Sequence, residues 1–425
     1  MIYLLLSYVG KPRIKSRKRQ LEYHSAMARK RYFPPWLIIL QVTLLSVIGP
    51  LSTDMYLPGL PEIVQYFETN EAILNITLYG FLLAQAVAIA FMGPLSDKIG
   101  RKPILIGSLI VYTISSILCW IVPNVETFIV LRLFQGVGVG GFIVISTALI
   151  KDCFAEKIRD RVLTLTAAFT VLGPLIAPIL GAFLIKAVNW QSTLVFPGLV
   201  TIIALVIAVF MNESLPENEK LNESIPKVVG HLFSVLKDRK FTLFLISMGI
   251  WFFPFMSFLA ISSYIFEGDF GLIEIQYSLF LVANSVSGTL GMIIVQKLSG
   301  KIRKTMVATA IIALGTTSGL LLMGIGSLNP LVCLLCFIPT SIAAIGSRPF
   351  SLGILMKQRD GDTGSISSVF NFALTFLGCL GMFAATLPWP SHIFGLGTCV
   401  LIAAVVSIAA WIALHKGGIN LKGIN

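Results

Sequence analysis

Apolar runs of about twenty residues recur along the whole chain, each long enough to cross the hydrocarbon core of a bilayer as a helix. They lie near 36–57, 72–94, 104–122, 126–149, 162–185, 193–211, 241–265, 275–297, 305–325, 329–350, 364–387 and 390–414. A spanning backbone must satisfy its own polar groups, which leaves helices or a closed barrel. Barrel strands would alternate over segments of about ten residues, and the runs do not alternate. The predicted fold class is an all-α membrane protein with twelve transmembrane helices. Composition agrees: 56% of the 425 residues are hydrophobic and 12% charged, about half the charge of a soluble domain.

The charges between the runs orient the chain, because basic loops stay in the cytoplasm. With the N-terminus inside, Lys98, Arg101, Lys102, Lys151, Lys157, Arg159, Arg161, Lys297, Lys301, Arg303, Lys304, Lys357 and Arg359 all fall inside. Outer loops hold Lys186 and the acids Glu62, Glu68, Glu71, Glu126, Glu267 and Asp269. Both termini are then cytoplasmic. The net charge of +12 reflects loops facing an anionic leaflet and calls for no nucleic-acid partner. The partners expected are the lipid bilayer, a small-molecule substrate and protons. The basic tail at 11–31 reads as a solvated topology signal, with binding of lipid head groups as the alternative. "MIYLLLSY" does not fit a signal peptide, since its basic run follows the apolar stretch. Met27 opens "MARKRYFPPW" like an ordinary start, so residues 1–26 are expected to be an over-extended start or a dispensable tail.

Cys119, Cys333, Cys336, Cys379 and Cys399 sit in apolar runs and Cys153 in a cytoplasmic loop. They are expected to be small buried hydrophobes, with no disulfide, metal or cofactor. No Ser/His/Asp set, HExxH or phosphate loop is present, so the chain does not read as an enzyme.

One long polar stretch, 212–240, divides the chain. The expected organisation is a basic tail at 1–35, six helices at 36–211, a cytoplasmic linker at 212–240 and six helices with a short tail at 241–425. In the linker, Val228, Val229, Leu232, Phe233, Val235 and Leu236 share a broad face, suited to a helix at the inner interface. "LSDKIGRK" at 95–102 and "LSGKIRK" at 298–304 each follow the second helix of a half. Two related halves with a site between them is a transporter architecture. One chain supplies both halves, so a monomer suffices.

Three stretches carry chemistry. In "GPLSDKIGRKP", 93–103, Gly93 permits close backbone approach. Asp97 can cap or pair with Arg101 four residues on, and Lys98, Arg101 and Lys102 hold the loop inside. In "LRLFQGVGVGG", 131–141, Arg132 is read as the one basic residue well inside a run, about six residues or about 9 Å from its outer end. Asp54, before Pro58, lies about four residues or about 6 Å deep in the first run. Two readings of this acid and base stand side by side. They occupy a pair or a wet cavity that offsets the cost of a charge in the membrane, or Asp54 marks the membrane edge and Arg132 snorkels outward. In "VLGPLIAPILGAF", 171–183, Gly173, Ala177 and Gly181 make a close-packing face, and Pro174 and Pro178 each remove a helix hydrogen bond.

The 93–103 loop, with Gly93, Leu95, Asp97, Gly100, Arg101 and Lys102, resembles the signature G-x-L-x-D-x-x-G-R-K of the major facilitator superfamily. Arg132, Gly136 and Gly138 resemble its helix-four pattern R-x-x-x-G-x-G. Gly173, Pro174, Pro178 and Gly181 resemble the helix-five motif of its drug:proton antiporters, with Gly181-Ala182 where a Gly-Gly pair is usual. With "TDMYLP" and "NWQSTLVF", the order is similar to the bicyclomycin-resistance (Bcr/CflA) family over about 36–415. The resemblance implies a twelve-helix pump of the bacterial inner membrane that exports bicyclomycin, chloramphenicol or sulfonamides against inward proton flow. It implies that Asp97 faces the start of helix eleven, near 361–365, and that Arg132 takes part in proton transfer. Asp54 then becomes the expected proton carrier, and a changing distance to Arg132 or a changing hydration would make its proton affinity depend on conformation. A metabolite carrier is the alternative, and a membrane sensor a more distant one.

Polar residues inside other runs are candidates for a cavity wall or for interhelical hydrogen bonds: Gln41, Asn75, Gln85, Asn284 and Asn371. Tyr56 and Tyr79 are placed toward its outer half. Trp251, Phe255, Met256 and Tyr277 could form an apolar wall or simply pack.

Overall fold

The computed structural model describes residues 34–221, 225, 230, 234–358 and 363–416. Twelve helices are long and apolar enough to span a membrane. They are α1 (Pro35–Tyr66), α2 (Glu71–Ile99), α3 (Arg101–Ile121), α4 (Val125–Cys153), α5 (Arg161–Ala187), α6 (Ser192–Phe210), α7 (Arg239–Asp269), α8 (Glu274–Ser299), α9 (Lys304–Ile325), α10 (Pro330–Leu355), α11 (Ile366–Ala385) and α12 (His392–Lys416). Each coincides with one of the twelve predicted runs. Their outward faces carry side chains such as Ile114, Phe183, Ile203, Leu320, Leu331 and Val405, all exposed, as lipid-facing surface requires.

Caps repeat between the halves. Asn124 accepts from Thr127 N at the start of α4, and Asn329 accepts from Val332 N at the start of α10, the equivalent helix of the second half. Each satisfies one of the orphan N–H groups of a helix start. The helix of α5 begins at Glu156 and runs unbroken to Ala187 through both prolines.

Glycines set the closest crossings. Gly136 and Gly140 turn toward α2, where an added Cβ would meet the carbonyls of Phe81 and Gln85. Gly138 and Gly141 turn toward Ser108 and Tyr112 of α3. The "GVGVGG" of α4 is therefore a two-sided packing surface, as small residues allow in a membrane.

The two six-helix halves meet through α2 against α11 and α5 against α8. On the outer side their cores merge: Tyr56, Leu60, Phe128 and Trp190 share one cluster with Trp251, Tyr264 and Tyr277. The inner part of the first half keeps a separate core of Ile38, Val42, Leu45, Leu109, Phe142 and Leu149. Among the described residues, the cores of the two halves are joined on the outer side and separate on the inner side.

Three expectations change. The first span does not end near 57. Its α-helix stops at Asp54, a short 3-10 turn follows at Leu57–Gly59, and a second helix runs Leu60–Tyr66. The tenth span continues past 350 to Leu355. In the linker, Val228, Val229, Leu232 and Phe233 lie outside the described residues, while Val235 is fully buried against the core of the second half and not at a lipid surface. The tail 1–33 also lies outside the described residues.

Candidate functional site

Asp54 sits at the break of α1, where the α-helix ends ahead of the 3-10 turn Leu57–Gly59 that holds Pro58. Because Leu60–Tyr66 continues the span, Asp54 lies inside the protein and not at a membrane edge; it is 8% exposed. Thr53 Oγ1 donates to its Oδ1 at 2.8 Å. The face of α5 holds this break in place. A Cβ on Gly173 would run into Pro50, and one on Gly181 into the carbonyl of Met55. Ala177 packs with Leu51 and Met55. The helix-five motif and the acid of α1 are thus two sides of one contact.

Arg132 of α4 is fully buried. Its Nη1 donates to the Ser52 carbonyl at 3.1 Å and to Gln135 Oε1 at 2.8 Å, and its Nε to the Thr77 carbonyl at 3.3 Å. The guanidinium carbon stands 4.5 Å from the ring centre of Tyr56 and 4.3 Å from that of Phe81, within cation–π range. Tyr56 OH pairs with Thr77 Oγ1 at 3.1 Å, and Gln135 Nε2 donates to Ser116 Oγ at 2.9 Å. Arg132 therefore ties α1, α2 and α4 together through backbone carbonyls and rings. It does not snorkel. No ion pair joins it to Asp54 among the described residues, and its Nη2 has no hydrogen-bond partner.

At the inner side, Gly100 has φ +125°, a backbone state that favours glycine. The carboxylate of Glu213 fills the space a Cβ would take there and caps α3, accepting from Arg101 N at 2.9 Å and Lys102 N at 3.0 Å. Arg101 pairs with Asp97 at 2.5 Å, the expected spacing of four, and reaches Asp152 of α4 at 3.2 Å. Lys102 Nζ donates to the Val209 carbonyl at 2.8 Å. Gly93 lies against Val144 of α4. Of the expected partner of Asp97, 361–365, residues 361 and 362 lie outside the described residues, and the helix itself begins at Thr363.

The outer side is latched across the halves. His392 Nε2 stands 2.8 Å from Glu71 Oε2, and its Nδ1 2.9 Å from Asp269 Oδ2. Tyr264 OH donates to Asn75 Oδ1 at 3.4 Å, and Ser278 Oγ to the Pro178 carbonyl at 2.9 Å. Tyr79 stacks edge-on against Phe383, 5.9 Å between centroids.

The remaining candidates divide. Asn284 accepts from Ser341 Oγ at 2.6 Å, and Asn371 from Arg348 at 3.0 Å. Gln85 is half-buried, with its backbone against Gly140. Gln41 is buried with both side-chain polar atoms unpartnered. Trp251 packs on Gly315 of α9 and Tyr277 on Phe266, so both are core, whereas Phe255 and Met256 are half-buried. Asp152, Glu213, His392 and Arg348 were missed in the sequence. Their partners lie far along the chain or on faces that an all-round apolar helix does not reveal.

The model of the Major Facilitator Superfamily matches residues 42–382. The chain is 25% identical over 382 residues to the uncharacterized MFS-type transporter YdgK of Bacillus subtilis, covering 88% of this chain and 94% of that protein. It is 25% identical over 405 residues to the bicyclomycin resistance protein homolog of Haemophilus influenzae, covering 91% and 98%. It is 29% identical over 184 residues to the multidrug resistance protein MdtL of Vibrio parahaemolyticus, covering 43% and 46%. Among solved structures, a D-xylose-proton symporter shares the fold with a TM-score of 0.71 at 15% identity, covering 90% of this chain and 97% of that one. The chain belongs to the major facilitator superfamily and is a twelve-span membrane transporter.

Proposed function

We propose that this transporter is a drug:proton antiporter of the bacterial cytoplasmic membrane, exporting small amphipathic compounds such as chloramphenicol, bicyclomycin or sulfonamides. The observation that carries the reading is the buried carboxylate of Asp54 at the break of α1, clasped by the small-residue face of α5. Arg132 grips α1 two residues away, at the Ser52 carbonyl, and has an uncommitted Nη2. The names of relatives concerned with bicyclomycin and multidrug resistance support the same direction.

A proton reaches Asp54 from outside when the outer latch is open. When the protein turns inward, the separation of Asp54 from Arg132 and its hydration change, and with them its affinity for the proton. Release inside leaves the carboxylate for exchange against drug. The loop 93–103, through Asp97, Gly100, Arg101 and Lys102, acts as the inner gate, and the half-buried Tyr79, Gln85 and Asn371 belong to the cavity region, whereas Tyr56 and Asn284, each 1% exposed, are packed.

The test uses inside-out vesicles with an acidified lumen and a pH-sensitive dye. Chloramphenicol, a sulfonamide and bicyclomycin are added in turn to wild type and Asp54→Asn. Substrate-dependent proton leak in wild type alone is expected. Leak in both keeps the antiporter and removes Asp54 from the proton path. No leak with any compound leaves direction and substrate open and turns the screen to metabolites.

A further inference from the structure

One face of α10 runs through Phe337, Ser341, Ala344 and Arg348, spaced as one side of a helix. Phe337 stacks on Phe258 of α7 at 4.2 Å, Ser341 donates to Asn284 of α8 at 2.6 Å, and Arg348 donates to Asn371 of α11 at 3.0 Å. This face therefore looks at the other helices of its half and away from lipid. Burial changes along it: Phe337 and Ser341 are 0% exposed and Ala344 3%, while Arg348 is exposed. On the same face beyond it, Ser351 is 1% exposed and Leu355 0%, so Arg348 is an exposed charge between buried turns.

Arg348 carries a positive charge inside a membrane span, which is costly without a partner or water. No carboxylate pairs with it among the described residues. Asn371 orients it: Asn371 Nδ2 donates to the Ser367 carbonyl at 2.8 Å, which turns Oδ1 toward Arg348 Nη2. The ring of Phe252 lies 5.9 Å from the guanidinium carbon, with Phe255 5.7 Å from Phe252. A guanidinium has five donors in a fixed fork suited to an oxyanion, and one is committed to Asn371.

We propose that Arg348 receives an anionic group on the transported compound, a carboxylate, sulfonate or ionised sulfonamide, while Phe252 and Phe255 take its aromatic or apolar body. The inference rests on the drug-export reading and, of the compounds named there, favours the ionisable sulfonamides over the neutral chloramphenicol and bicyclomycin. Asn371 is a positioning residue for Arg348.

The test is equilibrium binding to the purified full chain in detergent, so that neither proton coupling nor direction enters. The probes are dansylglycine and its primary amide, identical in their rings and differing in the carboxylate, read by dansyl fluorescence. Unlabelled chloramphenicol is run as a competitor. Wild type is expected to bind the carboxylate about ten-fold more tightly than the amide, the weight of one charge-assisted contact. Arg348→Gln should erase that preference by weakening the carboxylate probe about ten-fold more than the amide, and Arg348→Lys should keep part of it. The proposal is overturned if wild type binds neither probe or shows no preference, if the preference survives Arg348→Gln, or if that variant weakens both probes alike. Chloramphenicol binding without anion preference sinks this inference and leaves the drug reading standing. An Arg348-dependent anion preference without chloramphenicol binding does the reverse.

Discussion

His392 Nε2, at the start of α12, stands 2.8 Å from Oε2 of Glu71, at the start of α2, and so joins the two halves on their outer side. Its Nδ1 faces Asp269 at 2.9 Å, and only the doubly protonated ring can donate to both carboxylates at once. The side chains are partly exposed, 29% for His392 and 42% for Glu71, so each contact contributes up to about 1 kcal/mol. Glu71→Gln or His392→Gln is expected to raise the outward-facing population up to about five-fold. Alkalinising the outer medium should do the same in wild type, by removing one donated bond, and should have little effect in His392→Gln. Spin labels at Asn70 and Gly271 would report the change as a longer-distance population. A distance distribution identical in wild type and both variants would show that the latch holds nothing.

Gly181 tests the clasp on α1. Its missing Cβ is the space occupied by the Met55 carbonyl, and backbone cannot swing aside as a side chain can. Gly181→Ala forces α5 and α1 apart at the Asp54 break, at a cost of about 1–3 kcal/mol. The expected result is a lower unfolding temperature in detergent together with weaker drug-dependent proton leak. Gly107→Ala, whose added methyl meets nothing within 4 Å, is the control. Equal unfolding temperatures for the two variants would mean that the crossing relaxes freely.

The twelve spans were legible because hydropathy over twenty residues outweighs every local detail in a membrane. The pairing of Asp97 with Arg101 was legible because four residues on a helix is a contact by geometry alone. The depth of Asp54 was not, because the continuation of α1 through Leu60–Tyr66 lies beyond a proline and carries Glu62, both of which read as a span end. Glu213 caps α3 from 112 residues away, and Asp152 reaches Arg101 from 51; neither proximity has a trace in local pattern. Arg348 has no signal of depth in the sequence, because the tenth apolar run fades near 350 while its helix continues to Leu355. Trp251 read as a possible cavity wall, yet its ring fills the space left by Gly315 of α9; in a helix apolar all round, periodicity does not tell the two faces apart.

Arg132 contributes shape as well as charge. Its fork reaches carbonyls on two other helices and Gln135, and its plane lies near two aromatic rings. An ammonium is a point charge without that plane. Arg132→Lys is therefore expected to destabilise the first half by about 1–3 kcal/mol, the effect of losing hydrogen bonds to a charged group in a buried site. Thermal unfolding of the purified variant measures this directly. A lysine variant as stable as wild type would show that charge alone matters at this position.

Glu213 and Gly100 make the last case, at the start of α3. Two backbone N–H groups of that start end on one carboxylate, and a negative charge there also meets the positive end of the helix dipole. Glu213→Gln keeps the shape, removes the charge and is expected to cost about 1 kcal/mol. Gly100→Ala should cost more than that, because it strains a backbone at φ +125° and pushes a methyl into the same carboxylate. The double variant Gly100→Ala with Glu213→Ala separates the two effects. Unfolding temperatures should show part of the Gly100→Ala loss recovered once the carboxylate is gone, with the backbone strain remaining. Strictly additive losses would mean that the carboxylate and the glycine act on α3 independently.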